Sequence, residues 1–175
     1  MLSHLLNALD LYPRRVLLAL AVVCLSMLGF GLYLQHVLGL EPCPMCIVQR
    51  YADALVALLA LAGASCARRG LRQSATGLLW LVAVGGAFVA ARQSWLQWYP
   101  PEVVSCGRDL YGMIETFPLQ RVLPMVFKGS GDCSKVDWTF LGGSIANWSF
   151  VWFCGAGLLS AVLFVRQWRG SRAGV

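Results

Sequence analysis

The sequence predicts an all-α membrane protein, a bundle of four transmembrane helices joined by two outer loops of which the second is long. Three observations carry that prediction. The chain of 175 residues is 58% hydrophobic and only 13% charged, where soluble domains have roughly 45–50% and about 25%. Its apolar residues gather into four runs of membrane length, and its basic residues cluster at alternate ends of those runs.

The first run, residues 16–34, carries no charge. It exceeds the roughly 7–15-residue apolar core of a cleavable signal, and no small-x-small cleavage site with a soluble domain follows it, so it is expected to be retained. The second run, 47–66, is apolar apart from Arg50 and Asp53 near its start. The third, 71–91, has only the early Arg72, and the fourth, 145–165, has no charge. Crossing the hydrocarbon core takes roughly 17–25 residues at about 1.5 Å each, and all four runs suffice. A soluble fold would need polar chain to cover them, and four such runs leave too little. Residues 1–175 are therefore expected to form one integral membrane domain.

Four spans put both termini on one side. That side holds segments 1–15, 67–70 and 166–175, with Arg72 beside the second of these, and carries eight Arg against the single acid Asp10. The other side holds segments 35–46 and 92–144 and the two charges of the second run, with six basic residues against seven acidic ones. The split is +7 against −1, together the chain's +6. Basic segments stay in the cytoplasm during insertion, so both termini are expected there and both loops outside. This explains the basic residues without nucleic acid, and no nucleic-acid partner is expected. Tyr33, Trp95, Trp98, Tyr99, Trp148 and Trp152 are expected at the outer headgroup level, and Tyr12 and Trp168 at the inner one, as anchors rather than as a quinone box.

The seven cysteines divide by place. Cys24 and Cys154 fall within runs and Cys66 near a cytoplasmic end, where each reads as a small buried hydrophobe. Cys43, Cys46, Cys106 and Cys133 all fall outside, where disulfides are permitted. Four cysteines allow three connectivities. Cys43-Pro44-Met45-Cys46 is a C-x-x-C motif, whose loop is too small to serve well as a structural staple and whose kind exchanges readily. That favours a Cys43–Cys46 pair, leaving Cys106 with Cys133, a bridge that by itself could be structural. A zinc site would need a second C-x₂-C knuckle, which is absent, and no metal is expected.

Cys46 opens the second run and Arg50 follows one helical turn later, on the same face. A cation there favours the thiolate, which is the nucleophile, and can hydrogen-bond an oxygen of a molecule lodged between helices. An ionisable group at that depth is a functional candidate. Asp53 is expected to be structural, neutralising Arg50. An electron acceptor reaching this site from lipid must be apolar and redox-active, as a quinone is. The sequence has no C-x-x-C-H, Rossmann glycine pattern or cysteine run for haem, flavin or iron–sulfur chemistry.

The segments Glu41-Pro42-Cys43-Pro44-Met45-Cys46, Gln49-Arg50, Leu96-Gln97-Trp98-Tyr99-Pro100 and Gly129-Ser130-Gly131-Asp132-Cys133 resemble the DsbB family, the bacterial quinone-dependent disulfide-forming oxidoreductases, over nearly the whole chain. The resemblance implies an inner-membrane enzyme that reoxidises a periplasmic DsbA-like thioredoxin-fold oxidase and passes the electrons to ubiquinone or menaquinone. It implies catalytic Cys43, Cys46, Cys106 and Cys133. The oxidase would attack Cys106, Cys133 would be released to attack Cys43, and Cys46 would become a thiolate beside a quinone held by Arg50 and Cys46. Gln93 stands where a familiar member carries histidine, and an amide cannot relay a proton as imidazole does. Leu119, Val122, Leu123 and Val126 follow helical spacing interrupted by Pro124, and segment 117–127 is expected to form a short helix on the membrane surface. Two other readings are distinguishable. A vitamin K epoxide reductase type would run the chemistry in reverse, though Gln49-Arg50 and both loop motifs fit DsbB better. A non-enzymatic assembly protein would carry two inert disulfides.

Overall fold

Helix starts are set locally. Pro13 and Pro44 occupy first turns, where a missing N–H is harmless and the fixed φ suits the helix. A computed structural model describes residues 12–100 and 133–172. Cys106, segment 117–127 and its expected surface helix, and the terminal segments 1–11 and 173–175 lie outside the described residues.

Among the described residues, four helices are long and apolar enough to cross a membrane. They are α1 (Pro13–His36), α2 (Pro44–Ser65), α3 (Arg69–Trp98) and α4 (Ile145–Arg172). The four-helix membrane bundle expected from the sequence is the fold observed. The helices outreach the apolar runs. α2 begins at Pro44 rather than 47, and α3 continues to Trp98 rather than 91, because the local hydrogen bonding of a helix persists past the hydrocarbon depth that hydropathy marks.

Small residues make up much of the buried core. Ala21, Ala57, Ala60, Ala83 and Ala156 are buried, whereas Val22, Leu58, Phe88 and Leu158 are each more than 60% exposed. Lipid tails provide no hydrophobic drive between helices, so small side chains let them approach closely, with Leu17, Leu79, Phe153 and Leu163 filling the remaining core. Cys24 is buried as expected, Cys66 is half-buried, and Cys154 is exposed. The last departs from expectation, since an apolar surround tolerates a thiol without burial.

The main contacts run α1 to α2, α2 to α3 and α3 to α4, with no comparable contact between α1 and α4. At the α3–α4 contact a Cβ on Gly86 would lie 2.6 Å from the ring of the buried Phe153. Gly86→Ala is expected to destabilise the bundle by about 1–3 kcal/mol through overpacking, read as a lower thermal midpoint in detergent. Gly85→Ala, which would meet nothing within 4 Å, is expected to leave the midpoint unchanged.

The chain re-enters the bundle through a hairpin, β1 (Thr139–Phe140) and β2 (Gly143–Ser144), paired antiparallel with Thr139 opposite Ser144. Its two loop residues have positive φ, Leu141 at 50° and Gly142 at 79°, as a tight primed turn requires. Ser144 Oγ then accepts from Asn147 N at 3.3 Å, capping α4.

Candidate active site

Cys43 is the N-cap of α2, and its sulfur accepts from Cys46 N at 3.3 Å. The turn this creates brings the two thiols together, with Sγ···Sγ 2.9 Å. Cys133 is 1% exposed and packs in one cluster with Cys43 and Met45, flanked by Cys46, Val89 and Leu96. Three of the four cysteines singled out in the sequence therefore meet at one end of the bundle. Hydrogen bonding with Cys133, then with Cys46, and burial push the Cys43 thiol far above the ordinary thiol range.

The extension of α3 past the apolar run supports this cluster. Gln97 Oε1 accepts from Ser144 Oγ at 2.5 Å, and its Nε2 donates to Lys135 O at 3.4 Å. One side chain thereby ties both the segment after Cys133 and the start of α4 to α3. One turn earlier, Gln93 Nε2 donates to Cys46 Sγ at 3.1 Å and to Cys43 Sγ at 3.3 Å. Its Oε1 accepts from Gln49 Nε2 at 2.6 Å.

Cys46, Gln49, Arg50 and Asp53 share one face of α2, which borders a cavity of about 500 Å³. The cavity occupies the seam between α1 and α4, lined by Val23, Met27, Phe30 and Leu34 on one side and Trp148, Trp152 and Phe153 on the other. Arg50 donates to Gln35 Oε1 at 2.5 Å and to Gly31 O at 3.0 Å. It therefore turns towards α1, and the hydrogen bonds on the Cys46 sulfur come from Gln93 and Cys43. Asp53 accepts from Trp152 Nε1 at 3.0 Å, which links α2 to α4 beneath the cavity.

Two groups of residues differ from the sequence expectation. Trp152 lines the cavity, as does Trp148, which is also exposed, while Tyr33, Trp95, Trp98 and Tyr99 are exposed as anchors would be. Trp138 and Phe140 were not singled out. Phe30 and Trp138 meet edge-to-face at 5.6 Å, Trp138 stacks on Phe140 at 6.1 Å, and Phe140 reaches Trp148 at 6.3 Å. This row of rings joins α1 to α4 across the cavity mouth. The sequence signal was the cluster of aromatics just ahead of the fourth apolar run. Among the described residues no group of His, Cys, Asp and Glu is placed to hold a metal.

A C-x-x-C pair at the mouth of an apolar cavity, with a third cysteine packed against it, is the setting against which relatives can be judged. The family described as Disulfide bond formation protein DsbB matches residues 13–163. The chain belongs to the DsbB family. Proteins named Disulfide bond formation protein B are similar over almost their whole length. That of Polaromonas naphthalenivorans (strain CJ2) is 67% identical over 162 residues, covering 92% of this chain and 96% of the relative. That of Acidovorax sp. (strain JS42) is 60% identical over 171 residues, 95% of each chain. That of Azoarcus sp. (strain BH72) is 52% identical over 164 residues, 93% of this chain and 99% of the relative. The protein is thus a multi-pass inner-membrane protein of disulfide-bond formation, as the motifs around Cys43 and Cys133 led one to expect.

Proposed function

We propose that this DsbB-family protein is a protein-dithiol:quinone oxidoreductase that reoxidises a periplasmic DsbA-like thioredoxin-fold oxidase. The observation that carries the reading is that Cys43 and Cys46 line the apolar cavity together with Arg50, while Cys133 packs against the pair. The +7 against −1 charge split supports cytoplasmic termini and periplasmic cysteines.

The residues present fit a quinone. The cavity has the volume of small-molecule sites, roughly 300–1,000 Å³, with an apolar lining and a few convergent polar groups. Arg50 and Cys46 would hold the headgroup, Arg50 by donating to an oxygen, and the seam between α1 and α4 would take the apolar remainder. A bound quinone, ubiquinone or menaquinone, supplies an acceptor for two electrons and two protons.

The chain's own part is a pair of thiol–disulfide exchanges. A thiolate of the reduced oxidase attacks Cys106 in a Cys106–Cys133 bridge, and Cys133 leaves as a thiolate. Cys133 attacks Cys43, the Cys43–Cys46 bond breaks, and its electron pair goes to Cys46. Each exchange passes through a mixed disulfide. The contact of Cys133 with Cys43 supports that order.

The test is oxidation of a reduced thioredoxin-fold partner by the purified protein in detergent, which should require added quinone. Arg50→Gln is expected to raise the quinone KM about tenfold, the effect of losing a hydrogen bond from a charged donor, with the partner KM unchanged. Equal quinone kinetics in the variant would remove Arg50 from the site, and oxidation of the partner sustained beyond the protein's own disulfides without quinone would overturn the reading.

A further inference from the structure

Two carboxamides on neighbouring helices are buried, Gln49 at 5% exposure and Gln93 at 3%. Buried polar groups at such depth are costly unless paired. A structural pair joining α2 to α3 needs only the Gln49–Gln93 hydrogen bond. Here the second end of Gln93 is also committed, and to sulfur. Its two N–H groups face Cys46 Sγ and Cys43 Sγ, while Gln49 Nε2 occupies its oxygen.

That arrangement has a direction. An amide can present its oxygen or its nitrogen, and a thiolate, which has only lone pairs, is stabilised by the nitrogen alone. Gln49 holds the oxygen of Gln93 away from the sulfurs. The hydrogen bonds are weak to a thiol or disulfide and strong to a charged sulfur, so they act on the reduced, ionised state.

We infer that Gln93, oriented by Gln49, receives the charge on Cys46 when the Cys43–Cys46 disulfide is opened. In that step the Cys133 thiolate forms a bond to Cys43 Sγ, the Cys43–Cys46 bond breaks, and the electron pair moves to Cys46 Sγ with no proton transferred. Gln93 is then a catalytic residue, since it touches the reacting sulfurs, and Gln49 is a positioning residue. The inference rests on the redox reading of the C-x-x-C pair given above. It assigns the amide a task that needs no proton relay.

The experiment uses the full chain carrying Cys43→Ser, in which Cys46 cannot close its disulfide, in detergent without quinone. After reduction, the rate of Cys46 alkylation by iodoacetamide is followed by mass spectrometry across pH. Gln93→Leu is expected to move the midpoint up by about one pH unit, as expected for losing a hydrogen bond to a charged group. Gln49→Leu should move it the same way by less, and Gln93→His, which keeps an N–H donor, should bring it back. Thr76→Val breaks α3 hydrogen bonds at the opposite end of the helix and should leave the midpoint in place. The charged groups lining the same cavity, Glu41, Arg50, Asp53, Lys135 and Asp137, are the same in every arm. An unchanged midpoint in Gln93→Leu, or an equal shift in Thr76→Val, would overturn the inference. Should Gln93→Leu not fold, Gln49→Leu decides in the same way. No quinone is present, so the outcome is independent of whether quinone is the acceptor.

Discussion

Cys46→Ser is expected to reduce quinone-dependent turnover to the rate seen without protein. Cys46 lines the cavity with Cys43, one helical turn before Arg50, and packs against the cluster that holds Cys133. A hydroxyl of nearly the same size keeps the packing, but it cannot form a disulfide with Cys43 and cannot leave as a stable anion when Cys43 is attacked. The Cys106–Cys133 pair is untouched by this change, so a single exchange with the partner should survive. The measurement is the loss of quinone ultraviolet absorbance during oxidation of a reduced thioredoxin-fold partner, with single-turnover partner oxidation followed separately. Retained turnover would remove the C-x-x-C pair from the electron path.

Cys133→Ala is expected to stop the cycle one step earlier and to leave a visible product. Without Cys133, an oxidised partner that reaches Cys106 forms a mixed disulfide that no sulfur of this pair can resolve. A covalent complex should accumulate on non-reducing gels, disappear with dithiothreitol, and be absent when Cys106 is also replaced by alanine. Quinone reduction driven by the partner should fall to background. The partner captured in cells should have a thioredoxin fold. Absence of any complex would mean that Cys106 does not meet the soluble partner.

The fold was legible because hydropathy reports span number directly, and four runs in 175 residues leave few alternatives. Helix ends were less so. Hydropathy stops where the hydrocarbon stops, and α3 carries its helical hydrogen bonds on through Gln93 to Trp98. Cys43, Cys46 and Arg50 were legible because a C-x-x-C motif and a residue one turn later are local in sequence. Gln93 was noticed only as the residue standing where a familiar relative has histidine. Its contact with Cys46 spans 47 positions, and neither composition nor periodicity carries that distance. The direction of Arg50 was also hidden. Its spacing places it on the face of Cys46, but a long side chain can cross to another helix, and here it reaches Gly31 and Gln35 of α1. The row of rings from Phe30 to Trp148 depends on a hairpin whose turn needs positive φ at Leu141 as well as Gly142. A leucine there gives no turn signal.

The central claim is that electrons leave the protein from the Cys43–Cys46 pair to a quinone, and one measurement addresses it without any partner. The chain carrying Cys106→Ser and Cys133→Ser is reduced, freed of reductant and mixed anaerobically with a short-chain ubiquinone in detergent. Quinol formation and the number of alkylatable thiols at Cys43 and Cys46 are followed together. The expected result is one quinol per chain, formed as both thiols disappear. Quinone left unreduced while Cys43 and Cys46 stay alkylatable would contradict the claim.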